Sequence, residues 1–143
     1  MVLLVRLVVD TNVVVAAFRS ALGASNELPR QAAAGKVTLL CSTALFLEYE
    51  AVLNRGEIRK ATGHAPEDVE AVMSALAAIA EPIDVYFKTR PTLRDANDEL
   101  VLEVASNGDA DYIVTHNLRD FAPARTLGIA VATPREVLGR LLK

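Results

Sequence analysis

Residues 5–18 read VRLVVDTNVVVAAF, an almost wholly apolar run that Asp10, Thr11 and Asn12 interrupt in its middle. The β-branched residues before Asp10 predict a strand over residues 4–9, and those after it predict a helix over 13–18. A carboxylate buried without a partner is strongly unfavourable, so a chain normally avoids it. Asp10 stands directly after the strand, and it is either a helix N-cap or a group with a specific partner.

The rest of the chain alternates in the same way between short β-branched runs and longer segments with helical spacing. Strands are predicted over residues 37–41, 82–87, 111–115 and 128–133. Helices are predicted over residues 23–36 (kinked or restarted near Pro29), from Ser42 or Thr43 to about 54, and over 57–63, 65–80, about 97–107 and 134–142. This order predicts an α/β fold, with a parallel sheet and helices on both faces.

Composition sets limits on the class of protein. The chain has 143 residues, 52% of them hydrophobic, and no linker, repeat or low-complexity tract, which is consistent with one domain with a real core. The net charge of −3 argues against a protein that coats nucleic acid through bulk positive charge. The single cysteine, Cys41, lies in an apolar run, and no basic region precedes the interrupted N-terminal run. We therefore expect a reduced, cytoplasmic protein with neither a signal peptide nor a membrane span.

Two further acids fall on helix faces that should be buried. Glu48 lies among Ala44, Leu45, Ala51 and Val52 at helical spacing, although a position at the rim of the interior is the alternative. Asp98 begins the apolar stripe Val101, Leu102 and Ala105, whereas Glu99 and Glu103 lie off that stripe and are expected to face solvent. Asp95 with Asp98 also resembles a capping box, which suffices to explain Asp95.

Polar residues also follow the 111–115 strand, in the segment THNLRDF over residues 115–121. Thr115, Asn117 and Asp120 are turn-forming types, and local roles account for some of them. In a parallel sheet, however, functional groups gather beyond the carboxyl ends of the strands, where Asp10 also lies. Several clustered carboxylates need a compensating charge, and all-oxygen ligands select Mg²⁺ or Mn²⁺. With His64 and His116 as the two histidines, a zinc site is not expected. A carboxylate-bound metal with room for water suits phosphodiester hydrolysis.

These segments resemble the PIN-domain family, and within it the toxins of bacterial toxin–antitoxin pairs such as the VapC-like ribonucleases. The resemblance covers nearly the whole chain, and the domain that it implies is taken as residues 1–143. The matching segments are VVDTN, RSALGAS at residues 19–25, LEYEAVLNR, RDANDELVLEVA and DYIVTHNLRDF. The resemblance implies a three-layer α/β/α sandwich around a central parallel sheet of about five strands, in a single PIN domain. It also implies an endoribonuclease that depends on Mg²⁺ or Mn²⁺.

The family's functional residues carry over position by position. Asp10, Glu48 and Asp98 match the acids that hold the metal, and Asp120 and Asn117 share the place of a fourth acid. Asn117 contributes an oxygen but no charge, which puts a second tightly bound metal in doubt. Supporting roles fall to Thr11, Asn12, Asp95 and Thr115, and Arg19 is a candidate phosphate contact or a solvated surface residue. The resemblance further implies RNA as substrate, a homodimer and a cognate antitoxin as partner.

Two other classes of protein are open to this sequence. A phosphotransfer domain also places Asp at a strand end with Mg²⁺, but a receiver needs an early pair of acids and a late Lys. A phosphatase of the haloacid-dehalogenase type needs DxD, and this chain has DTN at residues 10–12. The second alternative is a PIN-like binding module that has lost catalysis, which Asn117 leaves open.

Overall fold

The centre of the molecule is a five-stranded sheet in which every described pairing is parallel. The structure, a computed structural model, describes residues 4–19, 24–86, 93 and 95–141, with residues 24 and 25 described for the main chain alone. In chain order the strands and helices are β1 Val5–Val9, α1 Thr11–Arg19, α2 Ala24–Ala33, β2 Val37–Cys41, α3 Thr43–Leu53, α4 Gly56–Thr62, α5 Pro66–Ile79, β3 Ala80–Pro82, α6 Ala96–Asn107, β4 Tyr112–Val114, a 3₁₀ segment Leu118–Leu127, β5 Ala130–Ala132 and α7 Pro134–Leu141. The sheet order is β3-β2-β1-β4-β5, so β1 lies in its centre.

Alternate residues of the central strands supply two separate cores, one on each face of the sheet. Leu7 and Leu39 pack with Leu28 of α2 and Val137 of α7 on one face. On the other face, Val8 and Leu40 belong to the core that contains α3, α6 and the 3₁₀ segment. Because side chains along a strand point alternately to opposite faces, one apolar strand can feed both cores. The three-layer α/β/α fold is thereby confirmed.

The third strand differs from the prediction, which placed it over residues 82–87. The observed β3 spans Ala80–Pro82 and pairs with β2 from Leu39↔Ala80 to Cys41↔Pro82. Pairing stops there because β2 ends at Cys41, after which Ser42 caps α3. Residues 83–86 continue without strand pairing, and residue 87 lies outside the described residues.

The remaining elements follow the predicted order, with ends shifted by one or two residues in most cases. Helix α2 runs through Pro29 as one element, and Gly35 follows in the left-handed region with φ 75°. The segment after β4 was expected to be a loop, whereas residues 118–127 form 3₁₀ turns. Predicted residues 23 and 142 lie outside the described part of the chain. Within the described residues, no helix combines the length and apolar character that a bilayer crossing requires.

Candidate active site

Asp10 lies where β1 passes into α1. Its main-chain N–H donates to Val114 O of β4 at 2.8 Å, which extends the pairing of the two strands by one residue. Its own carbonyl accepts from Val13 N at 2.9 Å, the first hydrogen bond of α1. Asp10 therefore occupies the N-cap position that local sequence suggested. Its side chain is 5% exposed, so the carboxylate is also a buried group at a strand end.

Two hydrogen-bond donors hold the Asp10 carboxylate. The Thr115 hydroxyl, itself fully buried, donates to Asp10 Oδ2 at 2.7 Å, and the Thr11 main-chain N–H donates as well. Burial nevertheless raises the pKa of Asp10, and the nearby charge of Asp120 adds to the rise against the two hydrogen bonds. The predicted supporting roles of Thr11 and Thr115 thus correspond to direct contacts with Asp10.

Asp98 lies in the first turn of α6 and is half-buried. The pKa of Asp98 is raised from 3.8 to about 7, chiefly by burial and in addition by the negative charges of Asp10, Asp95 and Asp120. Asp95 is the N-cap of α6, because its side chain accepts from Asn97 N at 2.8 Å. The local explanation of Asp95 therefore holds, and its charge also acts on Asp98.

The segment after β4 brings Asp120 toward these two acids. Asn117 N donates to the Thr115 hydroxyl at 2.9 Å, and Asp120 N donates to Asn117 O at 3.1 Å. These bonds fold residues 117–120 back over the end of β4. Asp120 and Asn117 are exposed, and the charge of Asp120 acts on both Asp10 and Asp98. We refer to Asp10, Asp98 and Asp120 as the acidic site.

Glu48 and Arg19 have a weaker structural connection to the acidic site. Glu48 is half-buried on α3, between the buried positions Leu45 and Val52, while Glu50 is exposed. Arg19 is exposed at the last turn of α1, about 12 Å along the helix axis from its start. There it lines an apolar groove of about 670 Å³ with Phe18 and His64.

The prediction that Glu99 and Glu103 face solvent is wrong, since each is 3% exposed. Positions 101–105 of α6 are all buried, so this part of the helix has no solvent face. Glu99 Oε1 accepts from the main-chain N–H of buried Leu93 at 2.5 Å. A buried carboxylate thus fixes the chain just upstream of Asp95 and Asp98. This bond depends on a main-chain donor that precedes the helix, which helical spacing does not encode.

Sequence reasoning also missed the role of Tyr49. Its side chain is 2% exposed, and its hydroxyl donates to Val9 O, 40 residues away in the sequence. Burial raises the pKa of Tyr49 well above its ordinary value, so the hydroxyl keeps its proton. The spacing of Tyr49 from Leu45 and Val52 identifies a core position. A long-range hydrogen bond leaves no periodic signal in the sequence.

The side chains of the acidic site fit a divalent cation by type and charge. Their oxygens are hard ligands, and the raised pKa of Asp98 reflects burial first and then nearby negative charge, which a cation would neutralise. Asn12, two residues from Asp10, contributes a buried Oδ1 that accepts no hydrogen bond within the described part of the chain. As they stand, no three Asp, Glu, His or Cys side chains of the described residues lie close enough to hold an ion. For a cation to be held, three side chains would have to move inward, namely exposed Asp120 and half-buried Asp98 and Glu48.

Two solved structures of similar fold are from Rickettsia felis and Neisseria gonorrhoeae. One is VapBC2 from Rickettsia felis, bound to a DNA fragment from the VapBC2 promoter. A chain of that structure matches with a TM-score of 0.62 and 19% sequence identity, and the match covers 88% of the present chain and 96% of the VapBC2 chain. FitAcB from Neisseria gonorrhoeae contains a chain with a TM-score of 0.51 and 20% identity, over 90% and 97%. At such identities the likeness concerns the fold. No curated protein matches the sequence significantly.

The sequence itself matches a family model described as PIN domain over residues 6–133. The match begins at Arg6 in β1 and ends at Thr133, just beyond β5. It therefore includes every residue of the sheet described above except Val5, and every residue of the acidic site. PIN domains are generally nucleases and generally use divalent metal ions. The chain belongs to the PIN-domain family.

Proposed function

We propose that this protein is an Mg²⁺- or Mn²⁺-dependent endoribonuclease, acting as one PIN domain over residues 1–143. The observation that carries the proposal is the group of acids at the strand ends, where burial and, after it, the negative charges of Asp10, Asp95 and Asp120 raise the pKa of Asp98 to about 7. A fold that keeps Asp10 buried beside such charge accepts a cost in stability. The cost is understandable if a cation normally neutralises the acidic site.

In this proposal, the residues of the site have different roles in binding the cation. Asp10 and Asp98 would hold the cation, Glu48 and Asp120 would complete its oxygen ligands, and Asn117 would contribute through water or its carbonyl. Thr115 and the Thr11 main-chain N–H keep the Asp10 carboxylate in place, where its oxygens would bind the cation. A bound Mg²⁺ or Mn²⁺ supplies an activated water and neutralises phosphate charge. Arg19 is proposed as a phosphate contact for the RNA beyond the cleaved bond.

We also propose that the protein is the toxin of a toxin–antitoxin pair, with a cognate antitoxin protein as partner. The support is family membership together with the structural neighbours VapBC2 and FitAcB, which are toxin–antitoxin complexes. A homodimer in the cytoplasm completes the proposal and rests on resemblance to the family. Co-purification of the protein with the product of the adjacent gene, compared with purification alone, tests the partnership.

Labelled RNA incubated with the purified protein tests the enzyme. We expect cleavage that requires Mg²⁺ or Mn²⁺, stops with chelator, and falls at least about 100-fold in Asp10→Asn and Asp98→Asn. Loss of an outer partner of a metal ligand already costs about 10- to 100-fold, and these variants lose proposed ligands. Asp111→Asn is the matched control, because Asp111 is exposed and accepts from Arg6 N at the opposite end of β1.

A binding module without catalysis is the second candidate function. The observation in its favour is that no three acidic or metal-ligating side chains of the described ranges stand close enough for an ion. This function predicts RNA or protein binding that Asp10→Asn leaves unchanged, with no cleavage under any metal. That pair of results would replace the enzyme proposal.

A further inference from the structure

Asp10 is preceded by a peptide group with hydrogen bonds on both sides. The Asp10 N–H donates toward β4, to Val114 O at 2.8 Å. In a trans peptide the N–H and the preceding C=O point in opposite directions, so Val9 O points toward the β2 side of β1. The Tyr49 hydroxyl donates to Val9 O from that side.

The position of Val9 O explains why it needs a side-chain donor. In the described register, β1 and β2 pair from Val5↔Val37 to Leu7↔Leu39, so no β2 residue is paired opposite Val9. A buried main-chain carbonyl without a partner is costly, and Tyr49 takes over where the β2 ladder stops. Helix α3 can deliver this hydroxyl because it starts directly after β2 and packs against α1 and α6.

We propose that Tyr49 is a positioning residue for Asp10: its hydroxyl fixes the Val9–Asp10 peptide group and thereby aims the carboxylate of Asp10 at the cation. Three hydrogen bonds from outside α1 then help to locate Asp10, namely Tyr49 to Val9 O, Asp10 N to Val114 O, and Thr115 to Asp10 Oδ2. Tyr49 acts on the main chain and touches neither substrate nor cation. The part concerning the cation rests on the proposed function, whereas the part concerning the Asp10 main chain does not.

The test is Tyr49→Phe, which keeps the buried ring and removes the hydroxyl. In metal-free protein, we expect hydrogen exchange of the Asp10 amide to accelerate at least tenfold more than that of Leu7, a fully buried residue earlier in β1. In calorimetry, Mn²⁺ affinity should fall about tenfold. In cleavage assays, kcat should fall with little change in KM for RNA, because the geometry of one acid is loosened and the RNA-binding surface is unchanged.

Two control variants separate positioning from general stability. Leu53→Val shortens a buried side chain of the same helix, and Tyr112→Phe removes a hydroxyl on β4 near the other end of the sheet. We expect both to retain wild-type Mn²⁺ affinity and equal acceleration at Asp10 and Leu7. Equal acceleration at the two amides in Tyr49→Phe would overturn the proposal. Wild-type protein that binds no Mn²⁺ would instead count against the proposed function, and amide exchange would still decide the role of Tyr49.

Discussion

Asp98 is the residue of the acidic site whose protonation is expected to change near neutral pH. Its folded-state pKa of about 7 lies above the ordinary 3.8, so the folded state binds this proton more tightly than the unfolded state does. Stability from this group is therefore fully present below about pH 4 and is lost as pH rises through about 7. The raised pKa of Asp10 works in the same direction.

Thermal unfolding of chelator-treated protein at pH 5 and pH 8 measures this effect. We expect the wild-type midpoint to fall with pH by roughly 3 °C more than that of Asp98→Asn, a modest difference because Asp98 is half-exposed and partly screened. Glu50→Gln, at an exposed position of α3, is the control and should follow the wild type. If the unfolding midpoint of Asp98→Asn depended on pH as strongly as that of the wild type, the raised pKa assigned to Asp98 would be wrong.

At the scale of elements, the end of α6 is fitted tightly under β2. A Cβ added to Gly108 would lie 2.9 Å from Val104 O, 3.0 Å from Leu40 Cδ1 and 3.1 Å from Ile83 Cδ1. The nearest of these is main chain, which cannot turn away, so we expect Gly108→Ala to destabilise the protein by about 1–3 kcal/mol. Urea unfolding measures it, with Gly139→Ala as control, since nothing lies within 4 Å of that added Cβ. The Gly139 variant should be neutral or slightly more stable.

The sequence predicted element type and order well because local spacing carries that information. The wrong predictions share a physical origin, because each depends on a partner that the spacing within one helix or strand does not reveal. Strand β3 starts at Ala80 because it matches β2, and the run PIDVYF over residues 82–87 contains nothing that marks the end of β2. Glu99 is polar and off the apolar stripe, yet it is buried and accepts from the main-chain N–H of Leu93, which precedes the helix. In the candidate site, residue types pointed to Asp10, Asp98 and Asp120, whose charges act on one another in the structure, whereas Tyr49 required the fold.

At the scale of the whole molecule, the sheet separates structural from functional residues. Arg6, at the start of β1, donates to Gly108 O at 2.9 Å and pairs with Glu81 of β3 at 2.6 Å. The acidic site lies beyond the other end of β1, four residues or about 13 Å away. The ion pair is half-exposed and worth little, while the partly buried bond to Gly108 O is worth about 1 kcal/mol.

We therefore expect Arg6→Met to lower the free energy of unfolding by about 1–2 kcal/mol and to leave Mn²⁺ affinity unchanged, because distant sites contribute independently. Urea unfolding and calorimetry on the same preparations measure the two quantities. A fall in Mn²⁺ affinity comparable to that of Asp10→Asn would show that the two ends of the sheet are coupled after all.

Because β1 lies in the centre of the sheet, the site can form only after strands that follow β1 in the sequence have been synthesised. The ribosome adds Thr115, which holds the Asp10 carboxylate, 105 residues after Asp10 itself. Until β4 has been made, β1 has an open edge and Asp10 lacks both Val114 and Thr115. A nascent chain, or a fragment from interrupted translation, thus carries the first acid without an assembled site. The activity we propose would begin only when synthesis of the sheet is nearly complete.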